Sequence, residues 1–146
     1  MEEVDDFLTA TIARQVAAET AIHNGDAAPR LAMWSPNDPV TLFGAWVSHT
    51  GWDDVSRTFT WLGSKMSNCT SYDLEIVAAG ASGDLAYTVA YEHTTASIDG
   101  GPAEAYTLRV THIYRREDGE WRIVHRHGDR LPAERSPSTE AGGRSA

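Results

Sequence analysis

Residues 84–98 read DLAYTVAYEHTTASI, and two further segments follow them, AYTLRVTHIY at 105–114 and EWRIVHRH at 120–127. Large and small side chains alternate along each segment. Turns at 99–102 and at Asp118-Gly119 separate the three segments. Period-two alternation that is broken by Asp-Gly predicts antiparallel hairpins. We therefore expect three adjacent strands that form a curved sheet with one face to cover.

The segments before residue 84 contain the helices that we expect to cover this face of the sheet. Spacings of three and four between apolar residues predict a helix from Glu2 to Asn24, and a second helix follows Gly25 and runs to about Met33. We expect a short strand at 40–43, a third helix at 52–66 and a strand at 70–79. This order predicts an α+β fold, a conical barrel in which a mostly antiparallel sheet carries three helices on its concave face. The expected buried stripe of the first helix comprises Val4, Phe7, Leu8, Ile12, Val16 and Ala17.

Composition limits the classes of protein to which the chain can belong. With 146 residues and a lone Cys69, it is long enough for one domain and has no intrachain disulfide. An acidic start and the lack of a membrane-length apolar run predict a cytoplasmic protein without membrane contact. A net charge of −9 argues against a nucleic-acid partner, which needs clustered Lys and Arg. We expect the domain at 1–131 and a disordered Pro/Gly-rich tail at 132–146.

The end of the domain resembles a known superfamily. Residues 111–127, THIYRREDGEWRIVHRH, are similar to the ending of SnoaL-like domains and of the association domain of calcium/calmodulin-dependent protein kinase II. With the element order from Val4 to Arg130, they resemble the nuclear transport factor 2-like superfamily, which includes ketosteroid isomerase and scytalone dehydratase. The resemblance implies a conical pocket and a homodimer formed through the outer face of the sheet. It does not fix the chemistry, because this fold hosts unrelated activities.

Strand alternation divides side chains between the pocket and the outer face. Large apolar residues and a single histidine recur on one face of each of the first two strands, so we expect that face to line the pocket. Glu92 and Arg109 are then expected on the outer face. The expected pocket set comprises Leu85, Tyr87, Val89, Tyr91, His93, Tyr106, Leu108, Val110, His112 and Tyr114.

The register of the last strand stays open, because a shift of one residue reverses every side chain. A two-residue Asp-Gly turn directs inward Trp121, Ile123, His125 and His127. A three-residue loop from Glu117 to Gly119 directs inward Arg122, Val124 and Arg126. Similarity to the kinase association domain favours the loop. In that match, His93 and His112 replace arginines that hold a carboxylate, so an anion site here requires Arg122, Arg126 or charged histidines.

Two histidines in an aromatic and aliphatic pocket predict acid/base chemistry, because imidazole titrates near neutral pH. The catalytic candidates are therefore His93 and His112, with Tyr91 and Tyr106 orienting a substrate oxygen. The arrangement resembles that of scytalone dehydratase, which uses a His pair with Asp and Tyr to remove water from a small phenolic substrate. The alternative is that both histidines are hydrogen-bonded core residues.

Asp38 is the third catalytic candidate. Asp38-Pro39-Val40 resembles the Asp-Pro-Val that carries the proton-shuttling base of ketosteroid isomerase. The alternative is an Asp that only stabilises a surface turn between two prolines. His125 and His127 share a strand face without a third ligand at a fitting spacing, so we expect a dimer-interface pair and no metal site.

These residues predict a cofactor-free acid/base enzyme that isomerises, dehydrates or cyclises a small, largely apolar, oxygenated molecule. The rival interpretation is a non-catalytic module that binds a small ligand or uses its sheet for dimerisation. Two histidines within reach of one void would favour catalysis. Six residues are expected to contact the substrate: Tyr91, Tyr106, Tyr114, Trp34, Trp61 and Arg126. Of these, we expect Trp34 and Trp61 at the pocket mouth.

Overall fold

The computed structural model describes residues 2–131, which contain three helices and six strands. The helices are α1 (Glu3–Ile22), α2 (Ala28–Met33) and α3 (Trp52–Lys65). The strands are β1 (Thr41–Phe43), β2 (Ser48–Thr50), β3 (Met66–Ser82), β4 (Leu85–Ile98), β5 (Glu104–Glu117) and β6 (Glu120–Arg130). The predicted element order is confirmed, although the sequence pattern missed β2. The predicted tail at 132–146 lies outside the described residues.

All six strands form one curved sheet that does not close on itself. Their order is β2-β1-β6-β5-β4-β3, and the neighbours are antiparallel except β1 and β6, which are parallel. The three helices cover the concave face, as an α+β fold requires. Within residues 2–131, none of the helices combines the length and the apolar character that crossing a membrane demands.

A bulge in β6 decides which of its side chains face the helices. Asp118 and Gly119 form a two-residue turn with φ of 52° and 80°, so Trp121 and Ile123 face inward. The pairing then skips Val124. An extra residue reverses the alternation, so the buried residues beyond it are Arg126 and Gly128. Each of the two predicted registers therefore holds for one half of the strand.

The predicted facing of β4 is wrong, whereas that of β5 is confirmed. In β4 the buried residues are the small or polar set, and the exposed ones are the large apolar set that includes Tyr87 and Val89. Small residues let the helices approach the sheet, and Ala86 packs in the same core cluster as Phe7. The inward set of β4 comprises Ala86, Thr88, Ala90, Glu92 and Thr94.

Helix α1 buries a polar row, which also differs from the prediction. Of the expected stripe only Phe7 is fully buried; Ile12 and Val16 are half-buried and Ala17 is exposed. Residues four apart share a helix face. The inward face of α1 is therefore polar, and the row continues into the residue that follows the helix. None of these residues is more than 5% exposed: Thr11, Gln15, Glu19 and His23.

Aromatic side chains fill one end of the space between helices and sheet. Phe7 packs edge-on against Tyr114 and Trp121, with ring centroids 4.9 and 5.2 Å apart. Trp34 packs edge-on against Phe59 at 5.0 Å and is 1% exposed, so its predicted place at a pocket mouth is wrong. Helix α3 adds the buried side chains of Val55 and Phe59 to this aromatic core. The other end of the space remains open to a ligand.

Candidate functional site

The open end holds a cavity between the end of α1 and the ends of β5 and β6. It offers about 80 Å³ to the centres of water-sized molecules, and its walls are mostly aliphatic. The loop from Gly44 to Val47 covers it, and the exposed Trp46 of that loop marks the mouth. An apolar cavity with a few polar groups is typical of a small-molecule site. The polar side chains on the wall are His23, Arg30, Tyr106, Arg126 and Arg130.

His23 and Tyr106 form a hydrogen-bonded pair on this wall. His23 Nδ1 lies 2.7 Å from the backbone carbonyl oxygen of Glu19, which can only accept, so Nδ1 carries the proton. His23 Nε2 therefore accepts from the Tyr106 hydroxyl, also at 2.7 Å. Burial lowers the pKa of His23 and raises the pKa of Tyr106 to about 12. At neutral pH the pair is a neutral imidazole that faces a neutral phenol.

Arg30 lies on the same wall, and Glu19 neutralises it. Arg30 Nε donates to Glu19 Oε2 at 3.0 Å and Nη2 donates to Oε1, with both side chains buried. The guanidinium also lies over the Phe59 ring, 4.9 Å from its centroid. Among residues 2–131, no acceptor engages Arg30 Nη1. This nitrogen is therefore available to an oxygen atom of a ligand.

Arg126 and Glu92 form a second buried ion pair, between β6 and β4. Arg126 Nη1 and Nη2 each donate to one Glu92 oxygen at 2.9 Å. Burial alone would raise the pKa of Glu92, but Arg126 outweighs it and lowers the pKa to about 2. Glu92 in turn raises the pKa of Arg126. Both groups stay charged at neutral pH, which holds a guanidinium at the cavity wall.

His112 forms a hydrogen bond with Arg126 but does not line the cavity. Its Nε2 accepts from Arg126 Nη1 at 3.2 Å, and it is not among the side chains of the cavity wall. Burial, followed by the positive charge of Arg126, holds the pKa of His112 well below its usual value. Tyr114 is equally buried and donates its hydroxyl proton to Gln15 Oε1 at 2.7 Å. The structure thus places His112 and Tyr114 behind the site.

The other predicted catalytic residues lie away from the cavity. His93 lies on the outer face with Tyr91, because β4 faces the opposite way, and its ring nitrogens contact Glu75 Oε1 at 2.9 Å and Thr107 Oγ1 at 3.0 Å. The prediction that His93 and Tyr91 line the pocket is wrong. Asp38 is exposed, and its Oδ1 accepts from the backbone N–H of Trp52, the first residue of α3, at 2.8 Å.

Two of the predicted contact residues do line the cavity, Tyr106 and Arg126. Trp61 is 43% exposed and lies beside the mouth, where it packs edge-on against Trp46 with ring centroids 6.5 Å apart. The aromatic side chain on the cavity wall at the mouth is therefore Trp46, which is not among the predicted contact residues.

Sequence reasoning missed most of the charged residues at the site. The sequence does contain a pattern that indicates Glu19 and His23. Polar residues recur at intervals of four, so they share one helix face: Thr11, Gln15, Glu19 and His23. The row is polar, so it does not belong to the apolar stripe that predicts a helix face turned toward the core. The missed residues are Glu19, His23, Arg30, Glu92 and Arg130.

On the outer face, His125 and His127 pack around Phe43. Its ring lies edge-on to both imidazoles at 5.5 and 5.6 Å, and His125 Nδ1 contacts Thr41 Oγ1 at 2.7 Å. Within the part of the chain that the structure describes, no three side chains of His, Cys, Asp or Glu converge as metal ligands would.

Comparison with known proteins gives the family. A family model described as the SnoaL-like domain matches residues 13–133. The chain belongs to the SnoaL-like domain family. No curated protein matches this SnoaL-like domain.

Solved structures share the fold of this SnoaL-like domain at low identity, and such a likeness shows the fold alone. A candidate dehydratase of the NTF2-like family from Streptomyces avermitilis has a TM-score of 0.74 at 18% identity, over 88% of this chain and 98% of that one. A candidate calcium/calmodulin-dependent protein kinase II association domain from Xanthomonas campestris gives 0.59 at 15%, over 88% and 86%. A candidate ketosteroid isomerase from Parabacteroides distasonis gives 0.65 at 13%, over 85% and 87%.

The buried pair predicts a large and specific loss of stability. Arg126→Met should reduce the free energy of unfolding by about 3–5 kcal/mol, because it leaves the Glu92 carboxylate buried without a partner. The double variant Glu92→Met with Arg126→Met should recover most of that loss. Urea unfolding at neutral pH measures both.

Arg109→Met is the matched control. Arg109 donates to both oxygens of Asp129 at 2.8 and 2.7 Å on the outer face of the same sheet, but both side chains are more than 40% exposed. Solvent screens such a pair, so its loss should have little effect on stability. Equal losses for Arg126→Met and Arg109→Met would contradict the burial of the Arg126–Glu92 pair.

Proposed function

We propose that this SnoaL-like domain is a cofactor-free acid/base enzyme, with His23 and Tyr106 as the proton-transfer groups. The observation that carries the proposal is the 2.7 Å hydrogen bond from the Tyr106 hydroxyl to His23 Nε2 on the wall of the cavity. A neutral imidazole in contact with a phenol can move a proton in either direction. The aliphatic walls suit a small, largely apolar, oxygenated substrate.

In the proposed reaction, the Tyr106 oxygen takes a proton from the carbon next to a substrate carbonyl, while the tyrosine's own proton passes to His23 Nε2. The electron pair of the broken C–H bond moves into the carbonyl and forms an enolate. The imidazolium keeps its Nδ1–H bond to the Glu19 carbonyl oxygen. The reverse transfer places the proton on another carbon in an isomerisation, or on a departing hydroxyl group in a dehydration, which releases water.

The guanidinium groups stabilise the enolate oxygen in this scheme. Arg30 Nη1 has no acceptor among the described residues, so it can donate to the developing negative charge. Ion pairs with Glu19 and Glu92 fix the positions of Arg30 and Arg126 before the substrate arrives. Donors that are held in place within an enclosed, weakly polar site stabilise a transition state without a reorganisation cost.

The names of two structural neighbours support the reaction class. The Streptomyces avermitilis protein is a candidate dehydratase, and the Parabacteroides distasonis protein is a candidate ketosteroid isomerase. In the proposed scheme, isomerisation and dehydration both begin with removal of a proton next to a carbonyl. The same fold serves other functions, so the support is for the class of chemistry and not for a substrate.

Hydrogen–deuterium exchange next to the carbonyl of small aryl ketones, followed by ¹H NMR in D₂O, tests the proposal. The wild type should accelerate exchange, and His23→Gln and Tyr106→Phe should each slow it by at least about 100-fold, because each removes one proton carrier. Burial lowers the pKa of His23, so its neutral form persists to lower pH than that of an exposed histidine. The rate should therefore fall in acid at a lower pH than the rate of an enzyme whose base is a solvent-exposed histidine.

Two variants on the outer face serve as controls. His93→Gln and Tyr91→Phe remove the same side-chain types from residues that do not line the cavity, and both should retain the wild-type rate. Equal losses in the control and site variants would contradict the proposal. Ketone binding without exchange in the wild type would replace it with the non-catalytic binding module.

We also propose that two copies join through the outer face of the sheet. A contiguous apolar patch lies there, since Tyr87 pairs with Ile113 across β4 and β5, and Val89 pairs with Ala78 beside Val77. Its apolar side chains are 36–58% exposed. The neighbours from Xanthomonas campestris and Thiobacillus denitrificans are candidate association domains, which supports an assembly role for the face. The patch comprises Val77, Leu85, Tyr87, Val89 and Ile113.

Light scattering during size-exclusion chromatography should give the mass of a dimer for the wild type. Val89→Glu should give the mass of a monomer with an unchanged circular dichroism spectrum, because it would place a charge in the apolar contact. Thr60→Glu, on the exposed side of α3, is the control and should remain dimeric. A monomeric wild type would contradict this assembly.

A further inference from the structure

Two cavities meet at Arg130 and Tyr106. The inner cavity is the one that His23 lines, with about 80 Å³ of space. The outer cavity offers about 150 Å³ between the end of β4, the loop at Gly101 and Pro102, and the start of β5. Ile98, Tyr106 and Arg130 line both. These three side chains therefore form the partition between the two cavities.

The partition is held by a contact that a ligand can replace. The Arg130 guanidinium carbon lies 5.6 Å from the centroid of the Tyr106 ring, in a cation–π contact, and Arg130 is exposed. An exposed contact of this kind is weak. The inner cavity is smaller than the roughly 150 Å³ that accommodates a benzene molecule in an engineered protein cavity. A substrate with a ring therefore extends beyond this cavity, and a displaced Arg130 opens additional room toward the outer one.

Arg130 also differs from the other arginines of its sheet. Among residues 2–131 it has no carboxylate within ion-pair distance, whereas every other arginine of β5 and β6 has one. In the inner cavity, Glu19 cancels the charge of Arg30 and Glu92 cancels that of Arg126. Arg130 is left as the uncompensated charge on that wall. The paired arginines are Arg109, Arg115, Arg116, Arg122 and Arg126.

A carboxylate is the group that suits this position. A guanidinium presents parallel N–H donors that match the two oxygens of a carboxylate. Glu104 lines the outer cavity as well, but it is exposed and makes no ion pair with Arg130. Its negative charge repels an incoming carboxylate and therefore weakens binding.

We propose that the substrate is an apolar oxo acid, with its ketone at Tyr106 in the inner cavity and its single carboxylate bound by Arg130 at the boundary with the outer cavity. This inference rests on the proposed function of His23 and Tyr106, because that pair fixes where the ketone lies. Arg130 binds the substrate away from the reacting carbon. It is a specificity residue that selects acids over neutral ketones.

The test compares 4-oxo-4-phenylbutanoate with its primary amide, which has the same shape and no charge. Isothermal titration calorimetry should show the acid binding at least about tenfold more tightly than the amide, and less tightly as salt is added. Arg130→Gln should weaken binding of the acid about tenfold and leave that of the amide unchanged. Arg130→Lys should retain part of the preference, and Glu104→Gln should strengthen binding of the acid.

Arg116→Gln is the matched control. The Arg116 guanidinium lies 4.6 Å from the centroid of the Trp121 ring, so it is also an arginine stacked on an aromatic side chain, but it lines neither cavity. This variant should keep the full preference for the acid. Equal binding of acid and amide by the wild type, binding of neither, or the same loss in Arg116→Gln would overturn the inference.

The exchange assay separates this inference from the proposed function. A preference for the acid that depends on Arg130, without deuterium exchange, would keep the binding role of Arg130 and reject catalysis by His23 and Tyr106. Exchange of neutral ketones that depends on His23, without a preference for the acid, would do the reverse.

Discussion

The ion pair between Arg126 and Glu92 is the interaction on which the cavity depends. Two charges that are at most 5% exposed are stable only when they meet in good geometry, so β4 and β6 must bring these side chains to the same face. The bulge at Val124 makes this possible, because it turns Arg126 inward. Gly128 lies beside it, and a Cβ atom there would contact Arg126 Nη2 at 3.4 Å. The guanidinium is thereby fixed at the wall of the space that a ligand would occupy.

Helix α1 completes the site with a row of polar side chains. Gln15 accepts from Tyr114, Glu19 pairs with Arg30, and His23 accepts from Tyr106. These bonds set the position of α1 on the sheet and also prepare the chemistry. The Glu19 backbone carbonyl fixes the tautomer of His23, and its carboxylate fixes Arg30. One turn of helix therefore orients both a base and a donor for an oxyanion.

The sequence predicted the fold well because the relevant signals are local. Turn residues such as Asp118-Gly119 and the spacing of apolar residues specify hairpins and helices without knowledge of tertiary contacts. The facing of β4 could not be predicted in the same way, since apolar side chains such as Val89 lie on its outer face while small ones such as Ala90 lie under the helices. The bulge at Val124 combines both registers that regular alternation offered. A charged residue such as Glu92 is recognisable as interior only once its partner is known.

The most direct test of this account is the protonation state of His23. In protein labelled with ¹⁵N-histidine and assigned with His23→Gln, NMR at neutral pH should show a protonated Nδ1 and an unprotonated Nε2 for this ring. The Nε2 signal should shift in Tyr106→Phe, which removes the hydroxyl donor. A protonated Nε2 at neutral pH, or an Nε2 signal that does not respond to Tyr106→Phe, would contradict the account.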